Sequence, residues 1–211
     1  MASERGLFVS IEGGEGAGKS TVLAAIATLL GERGFEVVSM REPGGTPAGE
    51  AIRALLLDPA SHLVPEAELL LMFASRAQLV REIVQPALAS GKWVLSDRFT
   101  DASFAYQGGG RGIESATIAT LERIAAGIKP DITLLLDVGV DVGMARARSR
   151  GGAPDRIESE RGEFFERVRA AYLARAKAEP GRIKVIDASQ APDAVVADVR
   201  RLLGEWLDAR A

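Results

Sequence analysis

The sequence LFVSIEGGEGAGKS occupies residues 7–20 and decides the fold of this chain. It opens with an apolar run, Leu7 to Ile11, that predicts a buried strand. Residues 13–20 then match the pattern G-x-x-x-x-G-K-[ST], and a helical stretch follows from about residue 18 to residue 33. A strand, a glycine-rich turn and a helix in this order form a P-loop, whose backbone N–H groups surround phosphate oxygens. The chain is therefore predicted to bind a nucleoside triphosphate.

Each residue type in this segment suits phosphate chemistry. The glycines let backbone N–H groups close around phosphate oxygens, and the start of the helix adds favourable partial charge. Lys19 is predicted to reach the β- and γ-phosphates, and Ser20 to offer a hydroxyl to Mg²⁺. The predicted ATP-binding residues are Gly13, Gly14, Glu15, Gly16, Ala17, Gly18, Lys19, Ser20 and Thr21.

Further strand signals alternate with helical stretches along the rest of the chain. The strand runs lie at 36–40, 93–96, 132–136 and 183–186, and the helical stretches at 18–33, 46–57, 65–90, 114–127, 141–150, 159–179 and 191–209. Continuous apolar strands that alternate with helices indicate a parallel sheet covered on both faces. The prediction is one P-loop NTPase domain over residues 1–211, a three-layer α/β/α fold with five parallel strands and a short lid at about 146–158. Residues 108–112 and 151–154 are predicted to be loops.

Composition narrows the classes of function. Apolar residues make up 47% of the chain and charged residues 26%, and the net charge is −3. This charge gives no basic field for nucleic acid or an anionic membrane. The apolar runs are far shorter than a membrane span, and the first residues do not resemble a signal peptide. The chain has no cysteine, which fits a reducing compartment. We expect a cytoplasmic protein that binds neither nucleic acid nor membrane.

A P-loop alone does not distinguish a kinase from a GTPase or a motor ATPase. A GTPase should carry an N-K-x-D motif, which is absent from the sequence, and motor ATPases usually have larger domains. The third strand ends in Ser96-Asp97-Arg98. Asp97 suits Mg²⁺ or its water shell, and Arg98 suits a second anionic group. This pair favours a kinase.

Several segments together resemble one family. They are IEGGEGAGKS (11–20), REPGGT (41–46), FASR (73–76), SDRF (96–99), AYQGGGRG (105–112), LLLDV (134–138), DRIE (155–158) and IDAS (186–189). The chain resembles the bacterial thymidylate kinases nearly end to end. The resemblance implies a homodimeric phosphotransferase that uses Mg²⁺ to move the γ-phosphoryl group of ATP to dTMP. The products are dTDP and ADP, on the route to dTTP.

The resemblance also implies which residues bind dTMP. Arg53 and Arg98 resemble the pair that holds the phosphate, and Glu15 the acid that bonds the sugar. Phe73 stands where an aromatic residue stacks on the base, although many relatives carry it at the position of Met72. The full set is Glu15, Pro43, Arg53, Phe73, Arg76, Arg98, Ser103, Tyr106 and Gln107. Ser20 and Asp97 are the predicted metal-binding residues.

Basic residues cluster in the predicted lid. Arg150 is the first choice for the arginine that meets the transferred phosphoryl group, and Arg156 is the second. Arg146 and Arg148 are interpreted as a solvated basic helix end. The predicted catalytic residues are Lys19, Arg98, Arg150 and Arg156.

Two questions stay open at this point. The glycines at 108–110 permit close approach of the backbone either to a ligand or to a neighbouring helix. Another nucleoside monophosphate kinase remains an alternative, as does a regulatory nucleotide-binding protein that has lost transfer activity. The presence of Lys19, Arg53 and Arg98 favours an active enzyme.

Overall fold

The computed structural model describes residues 5–149, 151 and 153–210, and a sheet of five parallel strands forms its centre. The strands are β1 (Phe8–Gly13), β2 (Val37–Arg41), β3 (Trp93–Asp97), β4 (Ile132–Asp137) and β5 (Ile183–Asp187). They lie side by side in the order β2-β3-β1-β4-β5. All five predicted strands are confirmed.

Helices occupy most of the chain between the strands. They are α1 (Lys19–Glu32), α2 (Pro47–Leu57), α3 (Pro65–Leu79), α4 (Gln85–Ala89), α5 (Thr100–Ser103), α6 (Ser115–Leu121), α7 (Val140–Ser149), α8 (Gly162–Ala178) and α9 (Pro192–Asp208). Three segments are wound as π-helix, namely Val80–Val84, Phe104–Gly110 and Glu122–Ala126. None of the described helices is both long and apolar enough to span a lipid bilayer.

Alternation along the buried strands produces the layers. Successive side chains of a strand point to opposite faces, so a continuous apolar strand needs a cover on each side. Val9 and Ile11 pack in one cluster with residues of α1 and α9. Phe8, from the same strand, packs in another cluster with Val80 and Val84. The sheet therefore lies between two helical layers, and the predicted α/β/α fold is confirmed.

The glycine run at 108–110 was predicted to be a loop, and this prediction is wrong. It ends the π-helical segment Phe104–Gly110, which packs against α8. A Cβ on Gly109 would lie 2.6 Å from the Cβ of Ala171, and one on Gly110 would overlap the ring of Phe164. Of the two readings left open by the sequence, close approach to a neighbouring helix is the one observed.

Strand order also determines where a ligand can bind. β1 lies between β3 and β4, so the connections that leave its two sides run in opposite directions across the sheet. In open parallel sheets this arrangement leaves a crevice at the carboxyl ends of the strands. The glycine-rich turn follows β1 directly and therefore lies at that crevice.

Candidate active site

The turn between β1 and α1 is built to receive an anion. Gly18, with φ of 90°, precedes α1, and neither a side-chain cap nor an acidic residue is present in the first turn of that helix. The backbone N–H groups in the first turn of α1 are thus available to bind a ligand. The Nζ of Lys19 donates to the carbonyls of Gly13 and Gly14 at 3.3 and 3.1 Å. Burial and the nearby Arg98 lower the pKa of Lys19, although Glu15 opposes that change. An incoming phosphate would bring negative charge next to Lys19 and would stabilise the charged form of its side chain.

A cavity of about 510 Å³ opens beside this turn. Most of the predicted site residues line it, and they come from segments far apart in the sequence. Those on its wall are Glu15, Gly16, Ala17, Gly18, Lys19, Ser20, Thr21, Pro43, Arg53, Asp97, Arg98, Tyr106, Gln107 and Arg156. Gly13, Gly14, Phe73, Arg76 and Ser103 are not on its wall. Arg150 lies outside the described residues.

Arg98 is held rigidly at the end of β3. Its φ of 71° lies in the left-handed region, which is strained for a residue with a side chain. Its Nη2 donates to Glu15 at 2.8 Å and to the hydroxyl of Tyr106 at 2.9 Å. Its Nη1 donates to the carbonyl of Gly13 at 2.9 Å and to the hydroxyl of Tyr172 at 3.1 Å. Burial alone would lower the pKa of Arg98, but these neighbours raise it well above its usual value. The guanidinium is a fixed positive charge between the phosphate turn and the rest of the cavity.

Arg53 also lines the cavity and adds positive charge there. It extends from α2, and its Nη1 donates to the carbonyl of Pro43 at 2.9 Å. Burial and the neighbouring Arg41 lower the pKa of Arg53, whereas Glu50 opposes that change. Arginines crowded together in this way are stabilised by an anion bound between them. Arg53 and Arg98 both line the cavity, and their role as a phosphate pair stays a prediction.

Asp97 and Ser20 offer oxygen atoms at the edge of the same cavity. The Oδ1 of Asp97 is buried and has no hydrogen-bond partner among the described residues. Ser20 lies in the first turn of α1, and its side chain is exposed. Mg²⁺ is usually held by one or two protein oxygens together with phosphate oxygens and water. The described residues contain no group of three or more His, Cys, Asp or Glu side chains that could hold a metal ion. The two oxygen donors Ser20 and Asp97 fit a metal carried by a nucleotide.

Glu12 is a buried carboxyl that the sequence analysis missed. It accepts from the backbone N–H of Phe99 and from the hydroxyl of Tyr172, both at 2.7 Å. Burial and the nearby Asp101 raise the pKa of Glu12 to about 8, against the effects of Arg98, Tyr172 and Phe99. An acid inside an apolar strand, directly before the glycine turn, was the signal for it in the sequence.

We expect Glu12→Gln to flatten the pH dependence of stability between about pH 5 and pH 8. Because the pKa is raised on folding, the native state holds this proton more tightly than the unfolded chain. Stability should therefore fall as the pH rises, with a slope approaching about 1.4 kcal/mol per pH unit. The measurement is Tm against pH, at about 2–4 °C per kcal/mol. The exposed Glu166→Gln is the control, and equal slopes in all three proteins would contradict the assignment.

Phe73 does not lie where it was expected. Its side chain is 2% exposed and packs with Leu69, Phe104 and Ile118 in a small core cluster. Met72, one position earlier on α3, lines the cavity instead. Successive residues on a helix differ by about 100° in direction, so only one of the two can face the ligand. Phe73 is therefore corrected to a core residue.

Arg76 is fully buried next to Phe73. Its Nε and Nη2 contact one oxygen of Glu42, each at 2.7 Å. Its Nη2 also donates to the carbonyl of Phe99 at 3.2 Å, and its Nη1 to the hydroxyl of Ser103 at 3.0 Å. The partner that its burial required is thus a carboxylate from the REPGGT segment. Three hydrogen bonds therefore hold the guanidinium, one from each of its nitrogens.

Residues of the predicted lid make contacts that the sequence did not indicate. The Nη2 of Arg156 donates to Glu68 on α3 at 2.7 Å, and its Nε donates to the carbonyl of Leu56 at 2.7 Å. Arg146 was interpreted as a solvated helix end, and this is wrong. Its guanidinium donates to the carbonyls of Ala188 and Ser189, in the segment before α9. Glu68, within the run ELLLMF, was detectable only as an acid among apolar residues.

Comparisons with known proteins agree with this geometry. The model of the family "Thymidylate kinase" matches residues 11–199. A thymidylate kinase of Chromohalobacter salexigens is 55% identical over 205 residues, which are 96% of this chain and 97% of the relative. One from Methylococcus capsulatus is 55% identical over 186 residues, 88% of each chain. The crystal structure of thymidylate kinase from Ehrlichia chaffeensis has a TM-score of 0.78 at 33% identity and covers 95% of this chain and 99% of its own.

These matches extend over nearly the whole sequence and include the segments that build the cavity. The turn at 13–20, the strand end at 96–98 and the predicted lid at about 146–158 all lie within the range that the family model matches. The chain belongs to the thymidylate kinase family.

Proposed function

We propose that this chain transfers the γ-phosphoryl group of ATP to dTMP and releases dTDP and ADP. The observation that carries the proposal is the position of Arg98. Its guanidinium bonds the turn that receives the triphosphate and also lines the cavity that would receive a second nucleotide. One cation can therefore serve the phosphates of both substrates.

The two nucleotides are assigned to opposite parts of the cavity. ATP places its phosphates in the turn at 13–20, where Lys19 and the N–H groups of α1 meet them. The phosphate of dTMP lies between Arg53 and Arg98. Glu15 and Tyr106 share a 2.9 Å hydrogen bond beside Arg98, and this supports their role at the sugar.

The base lies farther along the cavity. Met72 provides the apolar contact there, in place of Phe73, and Gln107 lines the same wall. Arg76 retains one N–H on Nη1 that no described residue uses, which supports the predicted bond to a base carbonyl. Ser103 is not on the wall, and its hydroxyl instead holds Arg76 in position.

The transfer itself depends on position and charge. The acceptor oxygen is already ionised, so the reaction requires no covalent intermediate with the enzyme. Lys19 and Arg98 stabilise the charge that spreads over the transferred group. Mg²⁺, held through Ser20 and Asp97, would neutralise the phosphate oxygens. A lid arginine would complete the set of positive charges around the transferred phosphoryl group, with Arg150 as the first choice.

Three further properties belong to the proposal. Family membership supports ATP as the donor. The homodimer stays a prediction from the sequence resemblance. The cysteine-free composition supports a reducing compartment, and we place the enzyme in the cytoplasm.

The test is ADP release with dTMP, UMP, CMP, AMP or GMP as acceptor, measured in the wild type and in Lys19→Ala. We expect dTMP to be strongly preferred. The variant should lose about 10²–10³ in kcat, because a charge directed at the transition state is removed. Lys92→Ala is the matched control, since Lys92 forms only an exposed pair with Glu36. Equal turnover of all acceptors, or full activity of a folded Lys19→Ala, would refute the proposal.

A further inference from the structure

Glu68 accepts four hydrogen bonds from three side chains. Its side chain lies on α3 and is 1% exposed. Gln107 donates to its Oε1 at 2.9 Å, Arg156 donates to its Oε2 at 2.7 Å, and Arg111 donates to both oxygens at 3.3 and 3.2 Å. Burial alone would raise the pKa of Glu68, but the bonds from Gln107, Arg111 and Arg156 hold it below its usual value. This carboxylate is charged and acts only as an acceptor.

An acceptor-only neighbour fixes the orientation of the Gln107 amide. A glutamine amide has a donor side and an acceptor side, and a charged carboxylate can bond only the donor side. The Nε2 of Gln107 must therefore face Glu68, and its Oε1 must point away. That oxygen is buried and has no hydrogen-bond partner among the described residues. Because Gln107 lines the cavity, a ligand donor is the natural partner for this oxygen.

Two arginines, Arg111 and Arg156, also bond Glu68 and stabilise its charge. Arg111 follows the π-helical segment that carries Gln107, and Arg156 belongs to the lid. The backbone N–H of Arg156 also donates to the carbonyl of Leu57 at 3.1 Å, which fastens the lid to the end of α2. The same carboxylate thus bonds Gln107, which lines the cavity, and Arg156, which lies in the lid.

We propose that Glu68 is a positioning residue that determines base specificity: it turns the Gln107 amide so that the cavity presents an acceptor, and it thereby selects a base with a ring N–H. The inference rests on the proposed function. Thymine and uracil carry a hydrogen on N3, whereas cytosine has a lone pair there. A cytosine base would bring two acceptors together, and an unsatisfied buried polar group costs about 1–3 kcal/mol.

The decisive variant is Glu68→Gln, which keeps the shape and removes the charge. The arginines only donate, so the new amide must turn its oxygen toward them and its NH₂ toward Gln107. Gln107 then reverses, and its own NH₂ faces the cavity. The preference for dTMP over dCMP, as a ratio of kcat/KM, should fall by about 10–100-fold. Glu66→Gln, an exposed acid on the same helix, should leave the ratio unchanged.

A second substitution should restore what the first one removes. In the double variant Glu68→Gln with Gln107→Glu, the NH₂ at position 68 bonds the new carboxylate. The other oxygen of that carboxylate faces the cavity as an acceptor. We expect the preference for dTMP to return toward the wild-type ratio. If Glu68 merely supports the fold, the double variant should prefer dTMP over dCMP less strongly than the single variant Glu68→Gln does.

The outcomes separate this inference from the proposed function. The same ratio is measured as Kd values for dTMP and dCMP by calorimetry, which requires no turnover. A shifted Kd ratio in a protein without kinase activity would refute the reaction and support the role of Glu68. An unchanged ratio in Glu68→Gln would refute the role of Glu68. If that variant does not fold, Gln107→Met serves instead, and a ratio equal to that of the wild type would again overturn the inference.

Discussion

Replacing Arg150 with alanine is expected to lower kcat by about 10³–10⁵ and to leave the KM for dTMP nearly unchanged. An arginine that meets the transferred phosphoryl group stabilises charge that exists chiefly in the transition state. Removing it therefore affects kcat and not ground-state binding. The turn at 13–20 contains no arginine, so this charge must come from another segment. The expectation rests on the sequence, since Arg150 lies outside the described residues.

The structure provides the contrast that tests this assignment. Arg156, the second choice, already donates to Glu68 and to the carbonyl of Leu56. Arg156→Ala should loosen the lid and lower kcat less than Arg150→Ala does. Arg148→Ala is the matched control, because Arg148 is exposed in the same basic run. Steady-state kinetics of the three variants decide between the residues. If only Arg156→Ala loses a large part of kcat, then Arg156, and not Arg150, is the arginine that meets the transferred phosphoryl group.

The sheet and the phosphate turn were predictable because their signals are local. Each strand is a short apolar run, and the turn requires glycine, lysine and serine at fixed spacing. Burial on both faces then indicates helices on both sides of the sheet. The order of the strands places the turn at the crevice. The motif and the end of the third strand indicated Lys19, Ser20 and Arg98, and all three line the cavity.

The π-helical segment at 104–110 was not predictable in the same way. Three glycines in a row have poor helical propensity, and a local reading makes them a loop. The segment is helical because α8 packs so closely that Gly109 and Gly110 have no room for a side chain. Tertiary packing overrides propensity here. The glycines indicated a close approach of the backbone, but the sequence did not identify α8 as the partner.

Buried acids were missed for a related reason. Glu12, Glu42 and Glu68 look like ordinary charged residues in the sequence, and each is buried because distant groups donate to it.

The choice of Phe73 over Met72 was wrong because the sequence does not show which face of the helix points to the cavity. Both positions neighbour Arg76 along a helix, so the residue that faces the cavity depends on how α3 is rotated against the helical segments it packs on.

The ion pair of Arg76 and Glu42 supports a second large effect, this time on stability. Arg76→Ala is expected to lower the free energy of unfolding by about 3–5 kcal/mol, because it leaves a buried carboxylate without its partner. Arg81→Ala is the control, since Arg81 is exposed on the continuation of α3. Urea unfolding at neutral pH measures the difference. A midpoint equal to that of the wild type would mean that the pair does not hold the REPGGT segment in place.

The loss in Arg76→Ala should also depend on pH, and its sign identifies the cause. Burial raises the pKa of Glu42 even in the wild type, where Arg76 opposes the rise. Without the guanidinium the pKa rises further, so the folded variant gains a proton that the unfolded chain lacks. Its stability should therefore recover as the pH falls and decline as the pH rises. Glu42→Gln in the Arg76→Ala background imitates the protonated state and should remove this dependence. If the deficit stays constant with pH, the cause is lost packing and not the unpaired charge.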